Sequence, residues 1–217
     1  MKMNKTLNAT DIYLQSILQS SMPWEEELMT YAEENRVPII EPVSMNFIAT
    51  LLKLAQPTRI LEIGTAIGYS ALSMHHALPS ASITTLERNE EMIIKATENI
   101  AKFSLTNQIE LVTGDALDSL PELIDQNKKF DFIFIDAAKG QYKKFFEYAM
   151  HLQSDKGFIL TDNVLFKGYV AEASTGHKRF QKLAKKINNY NSWLMENEKY
   201  STSIIPIGDG IALSIKN

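Results

Sequence analysis

Residues 61–70, "LEIGTAIGYS", decide how this chain folds. An apolar run carrying the acid Glu62 meets two glycines four apart, Gly64 and Gly68, and then Tyr69 and Ser70 open a longer pattern. That is the signature of a strand that turns sharply into a helix. Glycine admits positive φ and close approach of a neighbour, and the first turn of a helix offers unpaired backbone N–H groups. A small ligand is expected on this turn.

Working outward, short β-rich runs alternate with longer helical ones, which is the rhythm of an α/β fold. The predicted strands are Arg59–Ile63, Ser82–Glu87, Gln108–Val112, Phe130–Asp136 and Gly157–Asp162. "FDFIFID" and "GFILTD" are nearly continuous apolar runs ending in an acid, as central parallel strands covered on both faces should be. Ligands of such sheets bind beyond the carboxyl ends of the strands, near the point where strand order reverses. Upstream, "ATDIYLQSILQ", "MPWEEELMTYAEEN" and "PVSMNFIATLLKLA" predict three helices, the second with Ser21 as its cap and Pro23 in its first turn. At the other end, "YSTSIIPIGDGIALSIK" predicts an antiparallel hairpin turning at Gly208-Asp209-Gly210. The expectation is one domain over residues 1–217, with a helical cover (1–56) on an α/β core (57–217).

Composition narrows the function. The 217 residues are 45% hydrophobic and 22% charged, enough for one good core. No long uncharged apolar window and no signal-peptide pattern appears, so a cytoplasmic protein without a membrane partner is expected. The absence of cysteine excludes disulfides, thiolate metal sites and thiolate nucleophiles. A net charge of −4 disfavours a generally basic, sequence-blind nucleic-acid binder, while leaving room for a local basic patch.

The glycine spacing then selects the ligand. Gly64-x-x-x-Gly68 is not the G-x-G-x-x-G of a dinucleotide site, and no GK[ST] follows. Glu87, 23 residues after Gly64 at the end of the second strand, stands where an acid grips ribose hydroxyls. A nucleoside without phosphates satisfies both facts, and S-adenosylmethionine is such a ligand, with Glu62 and Asp136 available to its ammonium. Taken singly, the glycines also suit any tight βα turn, and Glu87 any solvated strand end.

A second constellation lies in "FIFIDAAKGQY" and "ILTDNVLF". Asp136 ends one central strand and Asp162-Asn163 end the next, giving two carboxylates and an amide oxygen with no His or Cys beside them. Such hard donors suit Mg²⁺, with positions left for water and substrate oxygens. Lys139, three residues beyond Asp136, is a candidate base, because a neighbouring divalent cation disfavours its ammonium form. The four histidines, His75, His76, His151 and His177, form no catalytic or metal-binding pattern.

"LEIGTAIGYSALSM", "TLERNEEMIIKATENI", "GDALDSLPEL", "DFIFIDAAKGQYKKFFEY" and "TDNVLFKGYVA" together resemble the metal-dependent class I O-methyltransferases of the catechol and caffeoyl-CoA type, over residues 38 to 215 or so. The resemblance implies a Rossmann-like, seven-stranded, mostly parallel sheet with its last strand antiparallel and helices on both faces. It implies S-adenosylmethionine contacts from Ile40, Glu62, Gly64, Ser70, Glu87, Asp115, Ala116 and Asp136, metal ligands Asp136, Asp162 and Asn163, and catalytic roles for Lys139 and Asp136. Similar enzymes are often dimers, so a homodimer is expected. Within the family, "AEENRVPI", "NSWLM" and "IIPIGDGIA" are most similar to the bacterial branch that methylates 5-hydroxyuridine at the tRNA wobble position. Animal catechol enzymes carry a further late acid that orients the second hydroxyl, and none aligns here.

The expected reaction is therefore methyl transfer to oxygen, giving 5-methoxyuridine, with a small-molecule catechol or phenolic O-methyltransferase as the alternative. The 5-hydroxyl and 4-oxo groups of that base are vicinal, like the oxygens of a catechol. Methylating the ring carbon would need a thiolate, and the chain has none. For the tRNA anticodon, residues 167–189 offer six Lys or Arg against one Glu, and Tyr69, Phe166 and Tyr169 offer rings for stacking. The same lysines equally suit a solvated helix face. A nucleoside-binding module or a dehydrogenase on the same sheet remains open from the residues alone.

Overall fold

The computed structural model describes residues 9–19, 21–171 and 178–217. Seven strands form one sheet: β1 (Arg59–Ile63), β2 (Ser82–Glu87), β3 (Ile109–Thr113), β4 (Phe130–Ile135), β5 (Gln153–Thr161), β6 (Tyr200–Ile205) and β7 (Ile211–Lys216). Their order is β3-β2-β1-β4-β5-β7-β6. The first five pair in parallel, while β7 runs antiparallel to both β5 and β6. The chain steps outward from β1 in one direction through β2 and β3, then returns to place β4 on the other side. The reversal point is the β1/β4 seam.

Alternation along the central strands explains their unbroken apolar runs. Ile60, Phe132 and Phe134 belong to the core on one face of the sheet, and Leu61, Ile63, Ile133 and Ile135 to the core on the other. Both faces are covered, so the positions on either face are mostly apolar, with Glu62 the buried exception in β1. Each fully buried Ile or Phe contributes roughly 1.5–3 kcal/mol of transfer free energy.

Helices α1 (Ala9–Ser16), α2 (Pro23–Asn35), α3 (Pro42–Ala55), α4 (Tyr69–Ala77) and α5 (Glu90–Lys102) precede β3 in the chain, and α6 (Ala116–Asp125), α7 (Tyr142–Leu152) and α8 (Lys178–Met195) follow it. The residue capping α2 is Met22, not Ser21: Glu25 Oε2 accepts from the Met22 N–H at 2.8 Å, closing the turn from the inside. Trp24 of α2 packs on Tyr69, His76 and Phe103, which fastens the N-terminal helices to the core. β5 begins earlier than the apolar run predicts, because its polar start pairs Gln153 with Phe130 before a register shift. The hairpin connection is Pro206 to Gly210, with Gly208 and Gly210 at positive φ. Among the described residues, no helix is long and apolar enough to cross a membrane.

Candidate active site

A cavity of about 560 Å³ opens at the carboxyl ends of β1 to β5. Gly64 forms its floor at the seam, with φ of 106°. A Cβ added there would stand 2.0 Å from the Asp136 carbonyl oxygen. Glycine is therefore required at 64 because two backbones touch there, and Gly64 also lines the cavity. A Cβ on Gly68 would make only ordinary contact with Ala96, at 3.7 Å, but Gly68 caps α4 at φ 84°, so its need is conformational.

One half of the cavity carries the residues expected to hold S-adenosylmethionine. Glu87 ends β2, and its carboxylate is fixed by three backbone N–H groups: Ala66 at 2.9 Å, Arg88 at 2.9 Å and Asn89 at 2.8 Å. Asp115 caps α6 by accepting from Leu117 N–H at 2.9 Å and also from Arg88 Nη1 at 3.0 Å; these bonds hold its carboxyl below the usual range. Ala116 opens that helix, and Ile40 contributes an apolar wall from the α2–α3 connection. Ser70 lines the cavity, whereas Glu62 lies behind it, wholly buried. Glu62 accepts from the hydroxyls of Ser70 and Thr85, the latter at 2.5 Å. Burial pushes its carboxyl up to about 8 despite those two bonds.

The other half gathers the hard oxygen donors. Asp136 and Asp162 follow β4 and β5 directly, and both line the cavity with Asn163 and Lys139. Tyr142 O–H donates to the Asp162 carbonyl at 2.9 Å, anchoring that backbone from the core. Asp162 accepts from the Asn163 backbone N–H at 2.7 Å and from its Nδ2 at 3.0 Å. This turns the Asn163 Oδ1 outward, where Lys139 Nζ donates to it. Burial raises the Asp136 carboxyl, with Lys139 opposing; Asp162 is driven well above its ordinary value by burial and then by Asp136. Two buried acids and an amide oxygen, offset by one ammonium, form a donor set that fits a hard divalent cation. Among the described residues, no cluster of three or more His, Cys, Asp or Glu side chains supplies a fuller cage.

Sequence reasoning missed part of the wall. Asn35 to Ile39 line the cavity alongside Ile40, and Arg36 does so from a left-handed backbone that ends α2. Thr85, which completes the Glu62 network and bonds Thr65 at 2.6 Å, carried no signal beyond its place in a strand. The aromatic expectations change: Phe166 is buried between Tyr169 and Phe180, so it packs rather than stacks, and Tyr69 lines the cavity while resting on Trp24. Tyr169 stacks on Phe180. In the basic stretch, Lys178, Lys182, Lys185 and Lys186 are exposed on α8, while Glu172 and His177 fall outside the described residues.

A doubly wound sheet with an antiparallel seventh strand, and a site divided across its reversal point, is the Rossmann-like methyltransferase fold. The chain belongs to the O-methyltransferase family, whose profile matches residues 20–217. It is 32% identical to a catechol O-methyltransferase from Niastella koreensis, over 98% of both chains. A Staphylococcus aureus protein provisionally described as a caffeoyl-CoA O-methyltransferase shares 38% identity and superposes with a TM-score of 0.89, over 97% of this chain and all of that one. The O-methyltransferase of Bacillus cereus, solved in complex with SAH, is 28% identical with a TM-score of 0.82, over 98% and 99% of the two chains.

Proposed function

We propose that this protein moves the methyl group of S-adenosylmethionine to a ring hydroxyl with a second oxygen beside it, and that its acceptor is 5-hydroxyuridine at the tRNA wobble position. The observation that carries the reading is the meeting of Asp136, Lys139, Asp162 and Asn163 at one end of a cavity whose other end presents Glu87 and Asp115. Glu87, held by three backbone donors, two of them on Oε1, keeps an acceptor site on Oε2 for a ribose hydroxyl. The SAH seen in the Bacillus cereus relative supports the cofactor assignment. Asp136, Asp162 and Asn163 would hold a divalent cation such as Mg²⁺, which when bound acidifies a coordinated hydroxyl and orients its neighbouring oxygen.

The methyl carbon leaves the sulfonium sulfur as the acceptor oxygen bonds to it, and S-adenosylhomocysteine departs neutral. Lys139 takes the hydroxyl proton or, as an ammonium, holds the oxyanion. Positioning supplies much of the rate, because both reactants sit on rigid strand ends.

A second reading is a catechol or phenolic small molecule, favoured by the name of the Niastella koreensis relative. The deciding experiment is methyl transfer from labelled S-adenosylmethionine to tRNA bearing 5-hydroxyuridine, with a catechol in parallel, each with and without EDTA. EDTA-sensitive label recovered as 5-methoxyuridine supports the proposal. Label in the catechol alone transfers the function to small molecules, and label in neither overturns both readings.

A further inference from the structure

Two cations from separate elements reach the rim of this cavity. Arg36 ends α2 with φ 58° and ψ 35°. A side chain in that left-handed region costs roughly 1–2 kcal/mol, which glycine at the same helix end would avoid. The arginine is exposed and lines the cavity, so its guanidinium has a place that its backbone does not favour. Lys186 arrives from α8. Its Nζ lies 3.5 Å from where a Cβ on Gly140 would stand, and Gly140 sits between Lys139 and Gln141, both cavity residues. The Lys186 ammonium therefore lies against the backbone of the turn that carries Lys139.

Lys182, also exposed, lies one helical turn back from Lys186 along α8, and exposed Lys185 precedes Lys186 directly, three residues on from Lys182. Among the described residues, Arg36, Lys182, Lys185 and Lys186 form no ion pair, as is true of most lysines and arginines outside the pairs of Arg88, Lys95, Lys102 and Lys143. Unmatched cations around the entrance, in a chain of net charge −4, favour an acceptor that brings its own anions beside the reacting ring. A neutral catechol offers them nothing. A nucleotide within a strand brings a phosphodiester on each side.

Resting on the RNA reading above, we infer that Arg36 and Lys186 determine acceptor specificity by contacting phosphates next to the methylated nucleotide, and that Lys182 and Lys185 continue the contact along the strand. Such contacts position the RNA and leave base selection to the cavity. The test is fluorescence polarisation of a labelled anticodon stem-loop RNA with uridine at the wobble position, titrated at several salt concentrations. Lys186→Gln and Arg36→Gln should each weaken binding about tenfold, and each lost contact should lower the salt slope by about 0.7. Lys186→Arg should retain the wild-type affinity, and unchanged thermal midpoints verify the fold of every variant.

If the wild type binds RNA and all variants keep its affinity and slope, the rim assignment is overturned while the RNA reading stands. If the wild type shows no salt-dependent RNA binding yet coenzyme A binds and loses affinity in the same variants, the RNA reading falls and the inference falls with it.

Discussion

The two halves of the cavity are built on opposite electrostatic plans. In the cofactor half, Glu87 and Asp115 accept hydrogen bonds from backbone N–H groups, so both carboxyl groups are held in place before any ligand arrives. In the acceptor half, Asp136 and Asp162 are buried against one another with Lys139 as the counter-charge. One half is complete as folded. The other keeps two carboxyls raised by burial, a set of hard oxygen donors that suits a divalent cation. At the seam between them the Gly64 backbone lies directly against the Asp136 carbonyl, and the Asp136 N–H donates to the Ile63 carbonyl at 2.9 Å.

Breaking that contact should have the largest effect. Gly64→Ala drives a methyl group into the Asp136 carbonyl and forces alanine into positive φ. Urea unfolding should show a loss of at least about 4 kcal/mol, in the range reserved for severe core damage. Native stability in this variant would mean that the halves are not joined there. Next, Asp162→Ala should sever the halves functionally. Turnover is expected to fall about 10³-fold, a loss on the scale of a removed electrostatic stabiliser, while calorimetric affinity for S-adenosylhomocysteine stays within about twofold. An equal loss in both would show that the plans are one. Glu87→Ala is the mirror experiment: it should cost roughly 2 kcal/mol of cofactor affinity, the worth of charge-assisted hydrogen bonds, and leave the affinity for Mn²⁺ intact.

The same contrast explains what the sequence made legible. β1 and β2 match their predicted bounds, and the strand ends carry Glu87, Asp136, Asp162 and Asn163 to one cavity, because apolar strands ending in polar residues are a local signal. Lys186 is legible only as one lysine of the basic stretch 167–189, and Arg36 not as a site residue at all. Their places beside the cavity depend on where α2 stops and how α8 crosses the turn at Gly140, which no spacing encodes. Nor does a strand pattern reveal that Glu62 lies behind Ser70: alternation says which face a residue takes, not which side chain intervenes.

Glu62 supplies the smallest effect and the finest probe of the cofactor half, since its partners there are side-chain hydroxyls and its carboxyl is wholly buried. Its carboxyl is raised from 4.5 to about 8 by burial. The folded protein therefore binds this proton more tightly than the unfolded chain does. The associated stability is fully present below pH 4.5 and is lost as pH rises toward 8, by about 1.4 kcal/mol per pH unit in that window. Glu62→Gln keeps the shape of the neutral acid and its partners but cannot ionise. Unfolding of the unliganded protein at pH 6 and pH 7 should show the wild type losing about 1.4 kcal/mol more than the variant over that interval. A matched loss in both proteins would mean that Glu62 is already ionised. The Ser70 and Thr85 hydroxyls would then carry its charge.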